Sequence, residues 1–246
     1  MRLGASLGTA LRSRRYLRPI SGAMRGLFVT ATDTGVGKTE VACGLVRGWR
    51  ALGLDVGAMK PAQSGVSPDE PTDAERLSAA AGGGDPPDLV CPCSFAAPLA
   101  PAVAARLEGR AISMEVLLGA ARALFERHAA LVVEGAGGLL TPLTELETYA
   151  DLAIALGLPA LVVARAGLGT VNHTALTCEA LRSRGLRVLG VVLNRPSAGD
   201  DPSVRHNRAE IERLTGVRVL ASLPHERDPA ARAALFADEL PRKVKF

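Results

Sequence analysis

A run of strand-forming residues, Leu27-Phe-Val-Thr-Ala-Thr-Asp-Thr-Gly-Val-Gly-Lys-Thr39, closes on a Gly-Lys-Thr turn and passes directly into helix-forming residues. Binding phosphate requires backbone N–H groups aimed into a concave turn, which glycines permit, with the positive end of a following helix behind the anion. Lys38 would then reach the terminal phosphates of a nucleotide, and the Thr39 hydroxyl would ligate its Mg²⁺. The usual pattern places a glycine six residues before the lysine, but here that position is Thr32.

Three further stretches put reactive side chains where predicted strands end. Leu131-Val-Val-Glu-Gly-Ala-Gly-Gly138 brings Glu134 to the carboxyl end of an apolar run. In open α/β sheets that edge is where ligands sit. Glu134 is therefore either a Mg²⁺ ligand or a carboxylate capping the next element. Ala58-Met-Lys60-Pro-Ala-Gln-Ser64-Gly65 offers Lys60, either a second cation for a transferring phosphoryl group or an ordinary surface lysine. Asn194, ahead of Arg195 and Pro196, is either a turn former or an amide able to pair with adenine N6 and N7.

These groups need a scaffold that gathers strand ends at one edge. Short β-branched runs occur at 27–30, 56–60, 131–134, 160–164, 188–194 and 217–223. Helical patterns alternate with them at 38–52, 114–127, 148–156, 171–184, 204–214 and 229–240. Alternation of this kind predicts an α/β protein with a doubly wound, mostly parallel sheet covered on both faces, a three-layer α/β/α arrangement of the phosphate-loop kind. Residues 24–246 read as a single domain. The stretch from Ser64 to Pro101, rich in Gly, Pro, Asp and Ala, reads as a long loop carrying one short helix over 72–81.

The chain has 246 residues, a formal charge of +4 and a sequence pI near 9.1, which by itself suggests a polyanion partner. Residues 1–23, however, hold five arginines and no acidic residue, so the remaining body is close to neutral and the case for nucleic-acid binding falls away. That leader reads as a transit peptide, a disordered tail, or residues upstream of a start at Met24. The spacing of Cys43, Cys91, Cys93 and Cys178 fits no zinc pattern and indicates reduced structural thiols in a cytoplasmic protein. No apolar run reaches the ~18–20 residues of a membrane span.

Taken in order, Thr30-Ala-Thr-Asp-Thr-Gly-Val-Gly-Lys-Thr39, Met59-Lys-Pro-Ala-Gln-Ser-Gly65, Val133-Glu-Gly-Ala-Gly-Gly138 and Gly167-Leu-Gly-Thr-Val-Asn-His173 resemble the motifs of the dethiobiotin synthetase family. The resemblance covers nearly everything after the leader. It implies a homodimeric, ATP- and Mg²⁺-dependent ligase that converts 7,8-diaminopelargonate and CO₂ to dethiobiotin, ADP and phosphate. The implied route passes through a carbamate and a mixed carbamic-phosphoric anhydride.

Carried over from that resemblance, Lys38 and Lys60 would stabilise the carbamate and the transferring phosphoryl group, with Thr34 near the carbamate. Thr39, Asp73 and Glu134 would ligate Mg²⁺. The phosphates would lie on Gly35, Val36, Gly37, Lys38, Thr39 and Glu40, with Glu134, Gly135, Ala136 and Gly137 also contributing. Asn194 and Arg195, with Pro224, His225 and Glu226, would frame the base. Ser64 would contact the substrate, and Asn172 would meet its carboxylate from the neighbouring subunit. Asp73 has only its place in the long loop to support it and otherwise reads as a helix N-terminal carboxylate. Gly35 stands where some members carry Glu, and Arg195 where others carry an acidic residue. The alternatives are a switch ATPase of the partition or division-site kind and the ATP-binding half of a cobyrinate amidotransferase. The first would show a lysine near the start of the phosphate loop, and the second would continue into a glutaminase domain.

Overall fold

A computed structural model of the chain describes residues 25–244; the leader assigned to 1–23 and the start at Met24 lie outside the described residues. Strand β1 (Gly26–Ala31) is followed by α1 (Lys38–Ala51), β2 (Val56–Met59), β3 (Ala62–Ser64), α2 (Asp73–Ala80), α3 (Pro87–Val90) and β4 (Cys93–Phe95). Next come α4 (Pro101–Leu107), α5 (Met114–Arg127), β5 (Ala130–Glu134), α6 (Tyr149–Leu156) and β6 (Ala160–Arg165). The chain continues through α7 (Thr170–Arg182), β7 (Val188–Asn194), α8 (Val204–Thr215), β8 (Val219–Leu223) and α9 (Pro229–Lys243).

Six strands form one parallel sheet in the order β2-β5-β1-β6-β7-β8. Side chains alternate across it with a period of two, as a strand buried on both faces requires. Leu27, Val29 and Ala31 enter one core, whereas Phe28 enters the other. In β5 the same division sends Ala130 and Val132 one way and Leu131 and Val133 the other. The chain builds the β2-β5 side and then the β6-β7-β8 side, so the order reverses at β1. The crevice outside the carboxyl end of β1 is therefore the topological switch point, the position from which such sheets bind ligands.

Helices α1 and α9 pack closely because Gly44 and Gly48 lack side chains. A Cβ on Gly48 would lie 2.1 Å from the Ala237 carbonyl oxygen, and one on Gly44 would lie 2.5 Å from Phe236 Cβ. The C-terminal helix is thereby seated against the helix that follows the phosphate loop.

The expected long loop from Ser64 to Pro101 is instead largely structured. It contains α2, α3 and β4, and β4 pairs in parallel with β3 from Ala62↔Cys93 to Ser64↔Phe95. Three-residue strands are too short for periodicity to reveal. Pro87 starts α3 at a position where its missing N–H costs nothing. The helix expected over 72–81 is α2, with Thr72 as N-cap in a reciprocal capping box with Glu75. Elsewhere boundaries move by a residue or two, and α9 runs on through Pro241 to Lys243.

Candidate active site

Lys38 and Thr39 open α1, whose N-cap Gly37 has φ 90°. Glycine is required there for two reasons: the backbone is left-handed, and a Cβ would lie 2.0 Å from Asn194 Nδ2. Thr32, by contrast, is not in the left-handed region, since among the described residues only glycines have positive φ. This accounts for the absent glycine, because the backbone at 32 takes a conformation open to any residue.

Lys60 follows β2 and Glu134 ends β5, adjacent strands, so both side chains emerge at the same edge. Lys60 Nζ lies 2.6 Å from Glu134 Oε1 and 2.7 Å from Asp73 Oδ2, and it donates to the Gly135 carbonyl at 3.3 Å. The Thr39 hydroxyl donates to Glu134 Oε1 at 2.8 Å. Asp73 reaches the cluster because Gln63 Oε1 accepts the Ala74 N–H at 3.1 Å and fixes the start of α2. Lys60 and Glu134 are both buried.

Burial alone would push the Lys60 ammonium down, but the Glu134 and Asp73 carboxylates outweigh it and its pKa moves up. Burial likewise opposes ionisation of Asp73, and Lys60 more than offsets it, so that carboxyl is held below its ordinary value. Lys38 moves down, chiefly through burial, with Lys60 as a second cation pressing the same way.

One atom of the cluster is unmet. Glu134 Oε2 is buried with no hydrogen-bond partner among the described residues. A buried carboxylate oxygen is costly unless a donor or cation meets it. Together with the Thr39 hydroxyl and the Asp73 carboxylate it makes an all-oxygen set of the kind Mg²⁺ takes, so these residues fit the ion.

The cluster forms the floor of a cavity of about 800 Å³. Thr34 stands exposed on its wall, with its N–H donating to Asp33 Oδ1 at 2.7 Å, and Asp33 pairs with Arg165. Ser64 also lines it, its hydroxyl donating to the Leu99 carbonyl at 2.6 Å. Gly35, Gly37, Glu40, Ala136 and Gly137 border the same space.

Other expected residues lie elsewhere. The Asn194 side chain is buried against the phosphate loop, with Nδ2 donating to the Val36 carbonyl at 2.8 Å. Arg195 turns its guanidinium to the Gly199 carbonyl in a separate cavity beside Gly35. Pro224, His225 and Glu226 lie between β8 and α9, and Glu226 borders a side cavity of about 180 Å³. Asn172 is exposed on α7 and does not border the main cavity. Among residues with no sequence signal, Gln63 places Asp73, while Arg76 and Arg232 line both the main and the side cavity.

The free thiols of Cys43 and Cys91 are pushed up to about 12 by burial, and such groups stay protonated and inert. Among the described residues no helix is long and apolar enough to cross a membrane.

A family model described as "AAA domain" matches residues 25–232. A protein of Anaeromyxobacter dehalogenans strain 2CP-C, named ATP-dependent dethiobiotin synthetase BioD, is 66% identical over 223 residues, covering 91% of this chain and 100% of the relative. A protein of the same name from Anaeromyxobacter sp. strain Fw109-5 is 64% identical with the same coverage. Among solved structures, a ParA family ATPase from Chlorobium tepidum TLS superposes with a TM-score of 0.54 at 14% identity, over 90% of this chain and 97% of that one. That likeness shows the shared phosphate-loop fold alone.

Proposed function

The chain belongs to the ATP-dependent dethiobiotin synthetase family and makes dethiobiotin in biotin biosynthesis; from that premise we propose how its residues carry the reaction out. One amine of 7,8-diaminopelargonate adds to CO₂ and loses a proton, giving a carbamate. A carbamate oxygen then attacks the γ-phosphorus of ATP and displaces ADP. The second amine attacks the carbonyl carbon of the resulting anhydride, the bond to phosphate breaks, a proton leaves, and the cyclic urea closes.

The observation that carries this reading is the convergence of Lys38, Thr39, Lys60, Asp73 and Glu134, from four separate stretches of chain, on one cavity at the switch point of the sheet. Phosphoryl transfer asks a protein mainly for positioning and cations. Lys60 is held charged, so it cannot take a proton; it serves as a fixed cation for the carbamate and the phosphoryl oxygens. Lys38, desolvated by the cavity wall, meets the polyphosphate from the loop side. The N–H groups of the turn before α1 receive phosphate oxygens, and Thr34 and Ser64 line the side from which the carbamate approaches. Thr39, Asp73 and Glu134 would hold Mg²⁺, which when bound neutralises charge on the phosphates.

The exposure of Asn172, with Leu168 and Leu176 on or beside the same helix, supports a homodimer in which one subunit reaches the substrate carboxylate of the other. The buried thiols support a cytoplasmic setting. Labelled bicarbonate tests the route: one label should enter dethiobiotin for each ADP released. ADP release without label incorporation would contradict it and favour a switch ATPase.

A further inference from the structure

The side chains that support the phosphate loop from behind are themselves held by a residue near the other end of the chain. Asn194 and Glu40 both press on Gly37: a Cβ there would lie 2.0 Å from Asn194 Nδ2 and 2.9 Å from Glu40 Oε2. Arg232, in the first turns of α9, donates from one terminal nitrogen to Glu40 Oε2 at 2.7 Å, and the same nitrogen lies 3.5 Å from Asn194 Oδ1. The Arg232 side chain is only 12% exposed, and its Cζ lies 5.5 Å from the centroid of Phe236, so the guanidinium has little freedom. Its Nε is buried without a hydrogen-bond partner among the described residues. A donor left unmet in this way is costly for a tie whose only purpose is stability.

Glu40 belongs to the first turn of α1, one residue after Thr39. A carboxylate in a first turn suits the helix dipole, but beside a bound polyphosphate a free negative charge opposes the ligand. Arg232 resolves that conflict by pairing the carboxylate. It also borders the main cavity, so its charge lies at the nucleotide's edge.

We propose that Arg232 is a nucleotide-positioning residue: it neutralises Glu40 and keeps the Asn194 amide turned to the Val36 carbonyl, so that the phosphate loop keeps its receptive shape. The proposal rests on the synthetase reading for its kinetic arm, whereas direct binding of MgATP tests it independently.

In the full-length protein, Arg232→Ala should weaken MgATP binding, measured calorimetrically, about tenfold, the scale of one charge-assisted hydrogen bond. The KM for ATP should rise in parallel, while the KM for 7,8-diaminopelargonate and kcat stay within about twofold. Arg232→Lys should recover part of the affinity, because the charge opposite Glu40 is kept. Glu40→Gln added to Arg232→Ala should also recover part, because the unpaired charge is removed. Unchanged MgATP affinity in Arg232→Ala, with only a lower Tm, would overturn the proposal and leave Arg232 as a tie between α9 and α1. Failure of Glu40→Gln to restore any affinity would overturn the neutralising role. Should Arg232→Ala not fold, Arg232→Lys and Arg232→Gln carry the same comparison. Wild-type turnover that did not require the diamine would count against the synthetase reading without touching the binding result.

Discussion

Strand β2 carries a charged cluster at each end, and the two are built differently. At its amino end, Asp55 Oδ1 lies 2.8 Å from His128 Nδ1, and Asp85 Oδ2 lies 2.7 Å from His128 Nε2. The other oxygen of Asp85 takes the Arg127 Nε–H at 2.6 Å. These contacts tie the start of β2, the end of α5 and the segment before α3 together. At the carboxyl end, Lys60, Asp73, Glu134 and Thr39 lie equally close, but the buried Glu134 Oε2 has no partner among the described residues. One cluster completes its contacts within the chain and the other leaves an oxygen for something else. Residue types alone do not separate them; incomplete satisfaction of a buried charge does.

Substitutions at the two ends should therefore act on different quantities. The largest effect falls on Lys60→Ala, where loss of a fixed cation should lower kcat by roughly 10²–10³ while MgATP still binds. A stopped-time ADP assay beside calorimetry reads both, and wild-type turnover would remove Lys60 from the reacting set. Next is Glu134→Gln, which takes the charge from the unmet oxygen. The Mg²⁺ concentration for half-maximal activity should rise by about tenfold or more.

At the other end, Asp85→Asn should leave kcat and KM unchanged and lower stability by about 1–2 kcal/mol, measured by urea unfolding. The pH dependence of that loss has a definite sign. Burial pushes the Asp85 carboxyl up, but hydrogen bonds from Arg127 and His128 outweigh it, so it is held below its ordinary value of 3.8. Hydrogen bonding from His128 does the same at Asp55. A depressed carboxyl contributes stability above its unfolded value and loses it as pH falls through the lower folded one. Below about pH 4 the wild type should therefore lose stability more steeply than Asp85→Asn, as followed by circular dichroism. An equal slope in the two proteins would erase the distinction between the ends.

Much of the active end is legible in the amino-acid sequence. Gly-Lys-Thr after a strand, and Lys60 and Glu134 at strand ends, follow from rules that place strand termini at one edge of a parallel sheet. Asp73 is readable only through resemblance, because what brings it to Lys60 is the Gln63 side chain on the start of α2. The pairing of β3 with β4 is hidden by strand length, and Pro87 reads as loop although it begins a helix. The bond from Asn194 to the Val36 carbonyl is not legible, since residue type says which bonds an amide can make but not which partner is near. Arg232 leaves no trace in the sequence, its partner Glu40 lying 192 residues away.

The unmet end of β2 thus has a defined role, an ATP-dependent reaction of two further substrates. It is tested most directly by measuring ADP formed by the purified protein when 7,8-diaminopelargonate and bicarbonate are omitted one at a time. ADP should form only with both present; equal ADP without the diamine would rule that role out.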